Sequence, residues 1–218
     1  MKRKAILYII LILMIVVGGG IGYYYWYQGS HYVSTEDARI DGDTYRVMPR
    51  ISGKLTSLQM KEGETVLADQ IVGQQDTVNL TTGLLDNANL RAPITGTVMK
   101  TLAKEGEVVS PGQPIALVVD KSHLYVSANI EETNINRIKL GEVVEFTIDS
   151  FPGHTLYGKV TEIGNGTNSS FSLLPAVNTS GNFTKVTQRI QIKMSIDDQQ
   201  GLALSPGMNV FLKIHVKG

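Results

Sequence analysis

The side chains best equipped for chemistry are four histidines, His31, His123, His154 and His215, and two acidic pairs, Glu131-Glu132 and Asp197-Asp198. A zinc site built on one helix needs histidines one turn apart or an HExxH frame. The four histidines have neither spacing and read as surface or loop residues. The acidic pairs have the right groups for acid/base work or cation binding, yet a helix start accounts for the first and a solvated turn for the second. No GxSxG elbow is present, and Gly164-Asn165-Gly166 lacks the lysine, strand and spacing of a phosphate loop. The expectation is therefore no catalytic residue, no metal site and no cofactor.

What the chain has instead is a repeat. Gly53, Lys61, Glu62, Gly63, Glu64, Val66 and Gln70 recur without a gap as Gly96, Lys104, Glu105, Gly106, Glu107, Val109 and Gln113, at an offset of 43 residues. A period of that size marks a supersecondary unit that buries its apolar face against its copy. Two copies make a small symmetric sandwich rather than a solenoid. Each copy reads as strand, tight turn, strand: Ile51, Gly53 and Leu55 alternate with polar residues before the Lys-Glu-Gly-Glu corner, and an apolar run resumes at Val66. Gly63 and Gly106 are expected to supply the positive φ of those corners. Ser110-Pro111-Gly112 and Ser205-Pro206-Gly207 read as type II turns, with Gly112 and Gly207 at the position that tolerates positive φ.

The N-terminus places this β-rich body. Lys2-Arg3-Lys4 precedes Ala5 to Tyr27, 23 residues without a charge, which as a helix span roughly 35 Å at about 1.5 Å per residue. A cleavable signal peptide shares the basic start and apolar stretch. Here, however, no small-x-small site follows, and Gly18 to Gly22 leads into the aromatic cluster Tyr23 to Tyr27, suited to a lipid–water boundary. The expectation is an uncleaved single-pass anchor containing Ala5, Gly18, Gly22 and Trp26, with its N-terminus cytoplasmic by the positive-inside rule and residues 28–218 outside. Its glycines either let a neighbouring helix approach closely or reflect the tolerance of membrane helices for glycine. The chain carries 20 basic and 20 acidic side chains, and Lys2, Arg3 and Lys4 belong to the anchor's tip. The body is thus mildly acidic and offers no basic surface for nucleic acid. It has no cysteine, which fits a domain outside the cytoplasm that builds its own core.

Beyond the repeat, Leu124, Val126 and Ala128 alternate. Glu131 to Gly141 reads as one short helix, and strand-like runs follow at 142–148, 156–163, 186–196 and 208–216. These elements suggest a small barrel or sandwich. Residues 164–184 form a long Asn/Ser/Gly-rich connection holding an apolar island, Phe171, Leu173, Leu174 and Pro175. That island either folds back on the barrel or serves as a partner contact.

Three stretches carry a family resemblance: Ser34-Thr35-Glu36-Asp37-Ala38 with Asp41-Gly42-Asp43; Arg91-Ala92-Pro93-Ile94-Thr95-Gly96-Thr97-Val98; and Phe171-Ser172-Leu173-Leu174-Pro175-Ala176 through Thr187-Gln188-Arg189. On these the chain resembles the membrane fusion proteins, also called periplasmic adaptors or the HlyD family, in their EmrA-like branch. The resemblance implies a mainly β fold: a transmembrane helix, a lipoyl/biotinyl-like β-sandwich of two half-motifs, and a β-barrel domain with one short helix. The expected organisation is a tip and anchor at 1–27 and a stem with first barrel strand at 28–45. The lipoyl-like domain then occupies 46–120, in halves 46–76 and 89–120 joined by a connector at 77–88, and the barrel 121–218. A lipoyl or biotinyl carrier needs an exposed lysine at the tip between the halves, and none occurs between Lys61 and Lys100.

Relatives insert a long helical hairpin between the halves. Here the connector projects only about 20 Å even when extended, so direct contact with an outer-membrane channel is doubtful. The implied function is a non-catalytic adaptor subunit of a multidrug efflux or export system. It implies a transporter partner in the same membrane, of major-facilitator type in preference to ABC type, and a homo-oligomeric assembly. A surface-anchored module for cell-wall polymer or another ligand is the competing reading.

Overall fold

The computed structural model describes residues 2–78, 81–171 and 187–216, with backbone alone for residues 2–10, Thr82, Leu84 and Phe171. The uncharged run is helical, and the helix extends over Lys2–His31 (α1). It passes directly into strand β1, Tyr32–Val47, so the polar stem expected from residue 28 is helix followed by strand. The last turn is held because its carbonyls have partners. Arg137 Nη2 donates to the carbonyls of Gly29 (2.7 Å) and Ser30 (2.9 Å), and the Val216 N–H donates to that of His31 (2.9 Å). A helix end satisfied in this way has no reason to fray into a linker. Nor does Asp41-Gly42-Asp43 interrupt β1: a Cβ on Gly42 would stand 2.8 Å from Leu124 Cδ2, so the glycine serves close packing rather than a turn.

The chain divides into two compact units, one of Asp41–Tyr125 with Ala203–Pro206, the other of Met1–Ile40, Val126–Leu202 and Gly207–Gly218. In the first, the strands after β1 are β2 (Gly53–Leu58), β3 (Thr65–Val66), β4 (Ile71–Gln75), β5 (Asn89–Arg91), β6 (Gly96–Thr101), β7 (Val108–Val109) and the start of β8 (Ala116–Glu131). The offset of 43 residues governs their pairing throughout. Gly53 and Lys54 of β2 oppose Val109 and Val108, while Gly96 and Thr97 of β6 oppose Val66 and Thr65. Even the bulges correspond, after Leu55 in β2–β4 and after Val98 in β6–β8. The buried side chains also come in repeat-related pairs: Val47 with Leu90, Leu55 with Val98, Met60 with Ala103, Val66 with Val109, and Val72 with Ile115. Each half therefore supplies one wall of a shared core.

The corners explain why Lys-Glu-Gly-Glu recurs. Gly63 and Gly106 have φ of 85° and 91°. The second glutamate of each corner caps its own turn: Glu64 accepts from the Lys61 N–H (3.0 Å), and Glu107 from the Lys104 N–H (3.2 Å). The first glutamate reaches into the other half. Glu62 Oε1 accepts from the Thr101 N–H (3.0 Å) and hydroxyl (3.2 Å), and Glu105 Oε1 from the Leu58 N–H (2.7 Å). Thr101 and Leu58 are themselves repeat-related, so the halves exchange equivalent backbone contacts, to which the Thr101 hydroxyl adds one more. Gly112 and Gly207 likewise adopt positive φ, 88° and 91°.

In the second unit, β8 continues past Asp120-Lys121 without a break and leads into a single helical turn, α2 (Glu132–Ile135), much shorter than the helix expected up to Gly141. Strands β9 (Val143–Ile148), β10 (Thr155–Thr167), β11 (Arg189–Ser195) and β12 (Asn209–His215) follow. The ladder runs β1-β12-β9-β10-β11-β8, and β8 also pairs with β1, which closes the ring. Closure removes exposed edges. Alternate residues fill the interior: Phe146 and Ile148, Leu156 and Val160, Ile192 and Met194, Leu212 and Ile214. Gly158 permits the closest approach, because a Cβ there would lie 1.8 Å from the Ser195 carbonyl oxygen.

Candidate functional surfaces

The four histidines sit in different local settings. His31 stacks on Tyr27 at the end of α1 (ring centroids 4.2 Å), and His154 sits in the turn between β9 and β10, where its N–H donates to the Phe151 carbonyl. His215 Nε2 lies 2.8 Å from Glu145 Oε1. Among the described residues no group of three His, Cys, Asp or Glu could hold a metal ion. Asp120, Ser122 and His123 form a cluster that sequence reasoning missed. Ser122 donates to Asp120 through its N–H (2.8 Å) and Oγ (2.6 Å), and His123 Nδ1 lies 3.0 Å from Ser122 Oγ and 2.7 Å from Asp120 Oδ2. A proton relay needs two different ring nitrogens, one on the nucleophile and one on the acid. Here a single nitrogen faces both, so the cluster is a turn rather than a triad. The Ser122 side-chain bond, then that of His123, holds the Asp120 carboxyl down to about 2.

The short connector is pinned at its root. Its second part is a 3-10 turn over Thr82–Ala88, and Arg91 reaches Asp86 Oδ1 through Nη2 (2.9 Å) and the Asp69 carbonyl through Nη1 (3.0 Å). The Arg91 side-chain bond, followed by that of Asn89, holds the Asp86 carboxyl below its ordinary range.

In the barrel unit, two stretches singled out by sequence meet. The β1–β12 register shifts between Thr35 and Ala38, leaving Glu36 and Asp37 on a bulge. Asp37 Oδ1 accepts from Asn129 Nδ2 (3.1 Å), and its Oδ2 pairs with Arg189 at the start of β11. Asn129 Oδ1 in turn accepts from Asn168 Nδ2 (2.8 Å), and Ser169 Oγ donates to Gln188 Oε1. Beside this network opens a cleft of about 380 Å³ lined by Glu36, Ala38, Arg39, Ser127, Gln191 and Asn209 among others. Asn168 and Ser169 lie where β10 ends, and Gln188 immediately before β11. The network thus ties the end of β10 and the start of β11 to the bulge. Spacing alone does not expose this, since Asp37 and Arg189 are 152 positions apart. The arrangement orients chain and presents amides and charges.

Phe171 closes the 3-10 turn Asn168–Phe171, while Leu173, Leu174 and Pro175 lie outside the described residues. Ala5, Gly18, Gly22 and Trp26 all lie on α1. A Cβ on Gly18 or Gly22 would meet nothing within 4 Å, and Trp26 is 65% exposed. Within the described residues no helix is long and apolar enough to cross a membrane. The apolar stretch from Ala5 to Ile10 falls in the segment described by backbone alone.

The fold defines a class first: residues 43–121 match the family model "RND MFP, barrel-sandwich hybrid domain", and residues 123–215 match "AAEA-like beta-barrel domain". The chain is 38% identical over 187 residues to YhbJ of Bacillus subtilis, a candidate efflux system component, covering 86% of this chain and 81% of that protein. It is 35% identical over 139 residues to the multidrug export protein EmrA of Escherichia coli, covering 62% of this chain but 36% of EmrA. The solved structure of the periplasmic adaptor protein EmrA shares the fold, with a TM-score of 0.59 at 14% identity over 86% of this chain and 99% of that one. The chain belongs to the membrane fusion protein family. Members of this family are non-enzymatic transport components.

Proposed function

We propose that this protein is the non-catalytic adaptor subunit of a multidrug efflux or export system, anchored in the cytoplasmic membrane by α1 with its N-terminus inside and its body outside. The observation that carries the reading is the match of nearly the whole body to an efflux component, on a fold whose recurrent motifs build cross-braces. The anchor is supported by α1 itself. Leu11 to Val17 are 52–72% exposed, and a run of unpartnered apolar side chains on the uncharged part of a helix needs lipid or another helix around it. The aromatic cluster Tyr23 to Tyr27 then falls at the outer boundary.

Energy for transport comes from the partner, a transporter in the same membrane; likeness to EmrA favours a major-facilitator pump over an ABC type. The apolar island Phe171 to Pro175 is the proposed contact. It begins at Phe171, the end of a 3-10 turn whose Asn168 joins the Asp37–Arg189 network. Several copies assemble side by side around a common path. The connector's 3-10 turn rises about 14 Å at roughly 2 Å per residue, too little to reach a second membrane. This argues against direct contact of the connector with an outer-membrane channel.

A photo-crosslinking amino acid in place of Leu173, in the full chain expressed in its native membrane, tests this. The expected product is a covalent adduct with a polytopic transporter. Adducts with cell-wall polymer and none with a transporter would favour the surface-binding module instead.

A further inference from the structure

A recess of about 260 Å³ opens where α1 gives way to β1, lined by Tyr25, Gln28, Gly29, Tyr32, Ser34 and Lys213. It is smaller than the roughly 300–1,000 Å³ of pockets for drug-sized ligands, so it suits a headgroup rather than a whole transported compound. Its lining includes groups able to donate to an anion, the Tyr25 and Tyr32 phenols, the Ser34 hydroxyl and the donor-only Lys213 ammonium, while the Gln28 amide already donates to the Tyr24 hydroxyl (3.2 Å).

Lys213 stands opposite Ser34 on β1 and Glu145 on β9. Glu145 is already engaged by His215 Nε2 at 2.8 Å, and the Lys213 amine lies 5.7 Å from the Phe211 ring centroid. A helix C-terminus ordinarily repels an anion. Here the Gly29 and Ser30 carbonyls are covered by the Arg137 guanidinium, which supplies positive charge at the same end. The depth is set by the chain: the apolar and aromatic stretch ends at Tyr27 and polar Gln28, Ser30 and His31 follow, so Gln28 to Ser34 begin where the hydrocarbon stops.

We propose that this recess seats the phosphate of an anionic phospholipid of the outer leaflet, with Lys213 as its principal cation. The inference rests on the reading of α1 as a membrane anchor. A lipid held there ties the barrel's base to the bilayer surface and fixes the height at which the body meets its partner.

The test uses the full chain in nanodiscs of mixed phosphatidylglycerol and phosphatidylcholine, with tightly retained lipid counted by native mass spectrometry. The wild type is expected to retain phosphatidylglycerol in preference to phosphatidylcholine. Lys213→Gln should weaken that preference about fivefold, the worth of one lysine at an anionic surface, and Lys213→Arg should keep it. Equal retention of the two lipids by the wild type, or an unchanged preference in Lys213→Gln, overturns the proposal while leaving the anchor intact. A chain that stays in the aqueous phase and enters no nanodisc overturns the anchor reading and the lipid site together.

Discussion

Removing Glu62 should loosen the chain at Thr101, and removing Glu105 should loosen it at Leu58, each in the opposite half of the sandwich. Glu62 Oε1 accepts two bonds from Thr101, at 3.0 and 3.2 Å, and Glu105 Oε1 accepts one from Leu58 at 2.7 Å. An intramolecular hydrogen bond contributes about 1 kcal/mol net, and bonds to charged groups more, but both glutamates are solvent-exposed and water competes for them. Each alanine substitution should therefore cost about 1 kcal/mol, and the double variant about 2 kcal/mol if the sites are independent. Native-state hydrogen exchange reads the effect locally. The Thr101 amide should exchange roughly fivefold faster in Glu62→Ala, and the Leu58 amide in Glu105→Ala, while glutamine, which keeps an acceptor oxygen, loses less. Glu64→Ala is the control, because it uncaps only its own corner at Lys61. Acceleration confined to the mutated half, or none at either amide, would refute the reciprocal bracing.

Four further outcomes rest on the same geometry. Gly158→Ala forces a Cβ against the Ser195 carbonyl, which as backbone cannot swing aside, and should cost about 3 kcal/mol or more in denaturant unfolding. Gly63→Ala, with open space but a φ of 85°, should cost only about 1–2 kcal/mol. Asp37→Asn removes the charge facing Arg189 and should cost no more than about 1 kcal/mol in denaturant unfolding, the range of an exposed ion pair. Asp120 should titrate near 2 by carbon NMR in the wild type and closer to an ordinary aspartate in Ser122→Ala. Because that pKa is depressed by folding, the stability it contributes is present above the unfolded aspartate value of about 3.9 and is lost as pH falls toward 2.

The sandwich was legible because its two halves share one chemistry at one offset, so a repeated corner announced a repeated unit. What each corner residue does was not. Nothing in Lys-Glu-Gly-Glu says that the first glutamate crosses to the other half and the second stays home, since that depends on how the copies dock. The polar letters of Gln28 to Ser30 read as a stem, yet Arg137, more than a hundred residues on, completes that helix end. The expected helix from Glu131 to Gly141 shrinks to one turn, because its residues instead close turns: Arg137 bonds back to Asn134, Ile138 to Ile135, and Gly141 adopts positive φ. The Asp37–Arg189 network was invisible for the same reason as the Arg137 cap. Its members are drawn from four separate segments and none has a telling neighbour.

Introduced cysteines, in a chain that has none of its own, report whether the adaptor body is held outside the cell by its leading helix. Lys54, exposed on β2, and Lys2, ahead of the uncharged run, are each replaced singly by cysteine and treated in intact cells with a membrane-impermeant maleimide. The protein is expected to stay in the membrane fraction, Lys54→Cys to be labelled at once, and Lys2→Cys to be labelled only after permeabilisation. Labelling at neither position in intact cells, or recovery of the protein free in the medium, would contradict this placement.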